Sequence, residues 1–153
     1  MPVRTPAHES YVRVPWLVAM AVMVLFIWGN SLVPGTESGG LSLSVVSTIR
    51  NALDALGIPS AWVTNFLVRK AAHFTEYAVL GIFAARAFNL RRGAPAARIL
   101  FACAVLVLVP SIDETIQLFV AGRSGQVTDV LLDCCGAATG ACLTALVSSL
   151  HRP

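Results

Sequence analysis

Between Pro15 and Leu32 the chain reads PWLVAMAVMVLFIWGNSL, with no ionisable side chain in the run. A stretch of about 20 apolar residues matches the number a helix needs to cross a hydrocarbon core about 30 Å thick. In that core only helices or closed barrels satisfy every backbone polar group, so the run constrains the whole fold. Its position, after Arg4 and Arg13, resembles that of a signal peptide. However, its apolar core is long, Trp28 and Asn30 stand where small residues would mark cleavage, and further hydrophobic segments follow.

The expected spans are residues 15–32, 70–88, 98–119 and 128–150. Composition agrees: 56% of the 153 residues are hydrophobic and 12% charged, against about 45–50% and about 25% in soluble domains. The expectation is an all-α membrane protein, a four-helix transmembrane bundle over 15–150 with short tails at 1–14 and 151–153. Between the first two spans, Leu41, Leu43, Val45, Val46, Ile49, Leu53 and Leu56 form a helical stripe with serines and Arg50 opposite. This reads as an amphipathic segment lying at the membrane interface.

Basic residues orient the bundle. With the N-terminus in the cytoplasm, Arg4, Arg13, Arg86, Arg91, Arg92, Arg98 and Arg152 fall inside, and Arg50, Arg69, Lys70 and Arg123 outside. Both termini are therefore expected in the cytoplasm. Of the acidic residues only Glu9 falls inside; Glu37, Asp54, Glu76, Asp113, Glu114, Asp129 and Asp133 gather at the outer face.

Those carboxylates have company. RKAAHFTEYAVL opens the second span with Arg69, Lys70, His73, Glu76 and Tyr77 on neighbouring rungs. SIDETIQLF closes the third with Asp113, Glu114 and Gln117 after the helix-bending Pro110. The turn AGRSGQ carries Arg123, and the fourth span begins with Asp129 and Asp133 one turn apart. Ionisable residues within spans are costly and face the bundle interior or a wet cavity. One shared polar pocket is therefore expected. Asp113 and Glu114 are adjacent and diverge by about 100°, so one of the two is expected to face His73.

Gly136 and Gly140 form a Gly-x-x-x-Gly that lets helices approach closely, here within the bundle. Cys103, Cys134, Cys135 and Cys142 read as small buried side chains and not as a disulfide framework. No Gly-rich phosphate loop follows a strand, and the basic residues are explained by topology, so no nucleic acid is expected. One in-span histidine with no paired His or Cys spacing gives no metal or cofactor assignment, although the carboxylates and His73 are suitable donors.

RKAAHFTEYAVLG followed by DETIQLFVAGRSGQVTDVLLDCCGAATG resembles the VanZ-like family, named for a membrane protein linked to teicoplanin resistance. The blocks that match are Lys70, His73, Phe74, Glu76, Tyr77, Leu80 and Gly81, then Asp113, Glu114, Gln117, Gly122, Arg123, Asp129, Gly136 and Gly140. WGNSLVPG is similar to the family's first-helix exit, and Cys134 and Cys135 depart from its usual Asn before the first glycine. The resemblance implies a multi-pass protein of the bacterial cell membrane and envelope, with no settled mechanism. Three readings of the pocket stay open. It holds the helices together, it binds an anionic lipid or peptidoglycan-related group, or it is a transferase or hydrolase site with His73, Glu76 or Asp113 as acid or base.

Overall fold

The computed structural model describes residues 13–90 and 94–150. The tails at 1–12 and 151–153, with Arg4, Glu9 and Arg152, lie outside the described residues, as do Arg91 and Arg92. The described chain is helical throughout: α1 Val14–Ser31, α2 Gly35–Ala55, α3 Asn65–Ala87, α4 Ala96–Gln117 and α5 Val127–Leu150.

Prolines mark the starts. Pro15 sits in the first turn of α1, and Pro34 and Pro95 precede α2 and α4, where a missing N–H costs nothing. Thr64 caps α3 by accepting a hydrogen bond from the Leu67 amide at 3.2 Å, so the helix begins more than a turn before Lys70. It ends where Asn89 turns left-handed at φ 51°. There the Leu90 amide donates to Ala85 O at 2.8 Å and the Asn89 amide to Arg86 O at 3.4 Å, a Schellman closure.

The connection between α1 and α3 is more regular than an interfacial stripe requires. α2 is helical over its whole length, packs against α3, and buries only Val46, leaving Leu41 and Leu56 more than two-thirds exposed. Ser42, Ser44, Ser47 and Thr48 donate back to carbonyls one turn earlier, so the helix itself satisfies their hydroxyls. Arg50 fastens its far end by donating to Val63 O at 2.9 Å.

α3 is the hub, in contact with every other helix and most extensively with α5. Met20 and Ile27 of α1, Tyr77, Leu80 and Ala84 of α3, Ala102, Leu106 and Val109 of α4, and Ala137 of α5 form the core. The α3–α5 seam runs backbone to backbone. A Cβ on Gly81 would collide with Ala137 O, and one on Gly140 with Ala78 O. Pro110 lies inside α4 and cannot donate to Leu106 O; the Cys134 thiol does so instead, at 3.7 Å. Against expectation, Cys103, Cys135 and Cys142 are exposed, and Cys103 and Cys142 line an open apolar groove between α4 and α5.

α1, α4 and α5 are long and apolar enough to cross a membrane. Their outer faces carry Leu25, Phe26, Leu100, Phe101, Leu108, Leu131 and Leu146, each more than half exposed. An apolar surface this continuous marks contact with another apolar phase. α3 does not meet that criterion of composition, since Arg69, Lys70, Glu76 and Arg86 lie within it.

Candidate functional site

Five chain segments meet at one end of the molecule: the exit of α1, the start of α3, the end of α4, the turn after it, and the start of α5. At the opposite end, Arg86 stacks over the Trp16 ring at 4.7 Å and the Arg13 amide donates to Ala87 O.

The inner part of the site is buried. Tyr77, Asp113 and Asp133 are fully buried, and Glu114 and Gln117 nearly so. The Gln117 amide nitrogen lies 2.9 Å from Glu114 Oε1, 3.3 Å from Asp113 Oδ2 and 3.5 Å from Ser31 Oγ. Two hydrogens thus serve three acceptors. The second oxygen of Glu114 accepts from the Gln126 amide at 2.8 Å. Five atoms here meet no donor or acceptor among the described residues: Asp133 Oδ1 and Oδ2, Asp113 Oδ1, His73 Nδ1 and the Tyr77 hydroxyl. His73 Nδ1 stands 3.9 Å from Asp133 Oδ1, beyond hydrogen-bond length.

The expectation that only one of Asp113 and Glu114 faces His73 is corrected. Ligand atoms of His73, Asp113, Glu114 and Asp133 all lie within 4.8 Å of one another. Both carboxylates turn inward because both sides of the last α4 turn are covered. α1 and α3 lie on one side, and the returning turn lies on the other, where a Cβ on Gly125 would strike Glu114 O.

The outer part is charged and partly open. Lys70 pairs with Asp129, each side chain about one-fifth to one-quarter exposed (24% and 21%). Arg123 closes the end of α1, donating from Nη2 to Asn30 O at 2.8 Å and from Nε to Val33 O at 3.1 Å. A cation belongs at that negative end of the helix dipole. Glu76 accepts from Asn30 Nδ2 at 3.3 Å. Among the described residues, neither Arg69 nor Arg123 forms an ion pair with a carboxylate. Burial, and then the neighbouring Arg69 charge, lower the pKa of Arg123 from its ordinary value.

Two cavities flank this part of α3, and Arg69 and His73 line both. The first, about 320 Å³, also has Asn30, Glu76 and Arg123 at its wall and Leu41 and Val45 of α2 opposite. The second, about 310 Å³, adds Asn65, Lys70, Gln117 and Asp129. All the expected residues therefore lie at this end, in two tiers. Tyr77, Asp113, Glu114, Gln117 and Asp133 form the buried tier, and Arg69, Lys70, Glu76, Arg123 and Asp129 form the open one, with His73 between them.

Sequence reasoning missed Asn30, Ser31 and Gln126 as site members. The first two lie in WGNSLVPG, where a polar Asn-Ser pair ends an otherwise apolar span. That interruption was the available signal. Gln126 contributes a backbone amide, which no side-chain pattern announces.

No curated protein and no solved structure matches the chain. Residues 16–148 match the family described as VanZ/LLP1, which takes in every site residue above and all of the helices but their outermost residues. The chain is a membrane protein of the VanZ/LLP1 family.

Proposed function

We propose that the open tier binds an anionic head group, a phosphate carried by a membrane lipid or an envelope precursor. The observation that carries this reading is one cavity holding two guanidinium groups, Arg69 and Arg123, beside an apolar wall of Leu41 and Val45. Guanidinium groups in a partly dry site form strong, directional bonds to phosphate oxygens, and the apolar wall suits the start of an acyl or polyprenyl chain. Glu76 lies in the same cavity and is held by Asn30, which lets it accept from a neutral hydroxyl of the head group.

In this reading α1, α3, α4 and α5 cross the bacterial cell membrane, α2 lies at the interface, and both termini are cytoplasmic. The site then opens to the outer face, where envelope precursors are exposed and where binding would alter susceptibility to glycopeptides such as teicoplanin. Four helix ends meeting at the site support a common depth for them. Cysteines introduced at Thr75 and Ser111 are expected to react with an impermeant reagent from outside; labelling from the cytoplasm inverts the topology.

The binding test uses the full chain in detergent with three probes: phosphatidylglycerol, a polyprenyl monophosphate and phosphatidylcholine. Either anionic probe is expected to bind more tightly than phosphatidylcholine, and Arg69→Gln or Arg123→Gln to weaken it about tenfold or more. Equal affinity for all three probes sinks the proposal. A transferase or hydrolase reading has one observation of its own: His73 borders both cavities while facing the buried carboxylates. It predicts turnover of the polyprenyl phosphate that His73→Gln abolishes.

A further inference from the structure

We propose that His73, Asp113, Glu114 and Asp133 form a binding site for one divalent transition-metal cation, held between α3, α4 and α5. The inference is independent of the head-group reading, because it concerns the buried tier.

Three carboxylates and an imidazole present ligand atoms within 4.8 Å of one another. With metal–ligand bonds of about 2.0–2.2 Å, donors on one cation lie up to about 4.4 Å apart, so small side-chain shifts complete the sphere. The separation of His73 Nδ1 from Asp133 Oδ1, 3.9 Å, is too long for a hydrogen bond and suits two ligands of one ion.

The second observation is the state of Asp133. It has no solvent exposure, and neither of its oxygens meets a donor among the described residues. A carboxylate buried in this way without a partner is costly to the fold. Lys70 is engaged by Asp129 and Arg123 by the α1 carbonyls, and among the described residues Arg69 forms no ion pair with Asp133. Asp113 Oδ1, His73 Nδ1 and the Tyr77 hydroxyl are likewise buried and without a partner, and Asp113 and His73 belong to the cluster whose ligand atoms lie within 4.8 Å of one another.

The remaining oxygens are arranged as supports. Gln117 holds Asp113 Oδ2 and Glu114 Oε1, and the Gln126 amide holds Glu114 Oε2. Such outer hydrogen bonds orient ligating carboxylates. They also leave Asp113 Oδ1 as the free, inward-facing lone pair. His73 reaches the second cavity, which gives an ion a route in.

One nitrogen with three carboxylates fits Zn²⁺ or Mn²⁺, whereas a buried site disfavours Mg²⁺, which retains its waters. By the general affinity order Zn²⁺ binds more tightly than Mn²⁺.

The test loads the chelator-treated full chain in detergent with Zn²⁺ or Mn²⁺, removes excess by gel filtration, and measures metal per chain. About one Zn²⁺ per chain is expected, with a metal-dependent rise in melting temperature. Asp133→Asn and His73→Gln are expected to weaken retention by about tenfold or more, and Asp54→Asn, on exposed α2, to leave it unchanged. Should the site variants fail to fold, X-ray absorption on the zinc-loaded wild type decides. A nitrogen and oxygen shell with an imidazole supports the site, and a sulfur shell from Cys134 or Cys135 overturns it. Wild type that retains no Zn²⁺ or Mn²⁺, or Asp133→Asn that retains as much as wild type, overturns it equally.

Discussion

Along one helix pair, α3 with α5, the contact changes character within two turns. From Phe74 to Gly81 the helices touch through their backbones at Gly136, Gly140 and Gly81, close enough that a single added methyl meets a carbonyl oxygen. From Lys70 to His73 the same two helices enclose Asp129 and Asp133 and leave room for cavities. The first contact gains stability through close packing and nothing else. The second holds carboxylates that would be cheaper to bury as hydrocarbon. The tight seam fixes the spacing at which the polar end must sit, and so it sustains an arrangement the polar end could not hold by itself.

That contrast can be broken from either side. The largest effect is expected in the seam. Gly140→Val gains only about 0.4 kcal/mol of helix propensity, and its Cβ meets the Ala78 backbone, which cannot swing aside. The clash should win, with a net loss of about 3 kcal/mol in denaturation of the detergent-solubilised chain. An unchanged midpoint would mean that the helices are not pressed together there.

The polar end should respond in the opposite direction. Asp133→Leu removes a buried, unpartnered carboxylate, and in chelator-treated protein it is expected to raise stability by about 2 kcal/mol. A loss of similar size would make Asp133 a structural strut and erase the distinction between the two contacts.

Smaller effects belong to the open tier. Arg123→Gln deletes two charge-assisted bonds to the end of α1, and about 1.5 kcal/mol of stability should go with them. Lys70→Met breaks a partly exposed ion pair and is expected to cost less than about 1 kcal/mol, an effect that high salt hides. If Lys70→Met costs more than Arg123→Gln, the two bonds to the end of α1 contribute less than the partly exposed ion pair.

Much of this was legible in the residues. The runs at 15–32, 98–119 and 128–150 give α1, α4 and α5 almost to the residue, because an uninterrupted apolar stretch of that length has few alternatives. RKAAHFTEYAVL and DETIQLF identify both the polar end and the family, since ionisable side chains at one depth must share an interior. The start of α3 was less legible: Thr64 caps it through a hydroxyl in a loop that carries no periodic signal.

What the sequence by itself determined is therefore which side chains need an interior, and roughly at what depth. Tertiary structure alone decided how they divide. Adjacent Asp113 and Glu114 point apart on an isolated helix, and both turn inward only because the chain folds back through Gly125 over the end of α4. Arg123 could have paired with a carboxylate but donates to the carbonyls at the end of α1, and Asp133 is buried without a partner among the described residues. Helical periodicity fixes directions around one axis; which directions become interior depends on the neighbours, and those are set by the close approach of Gly81, Gly136 and Gly140.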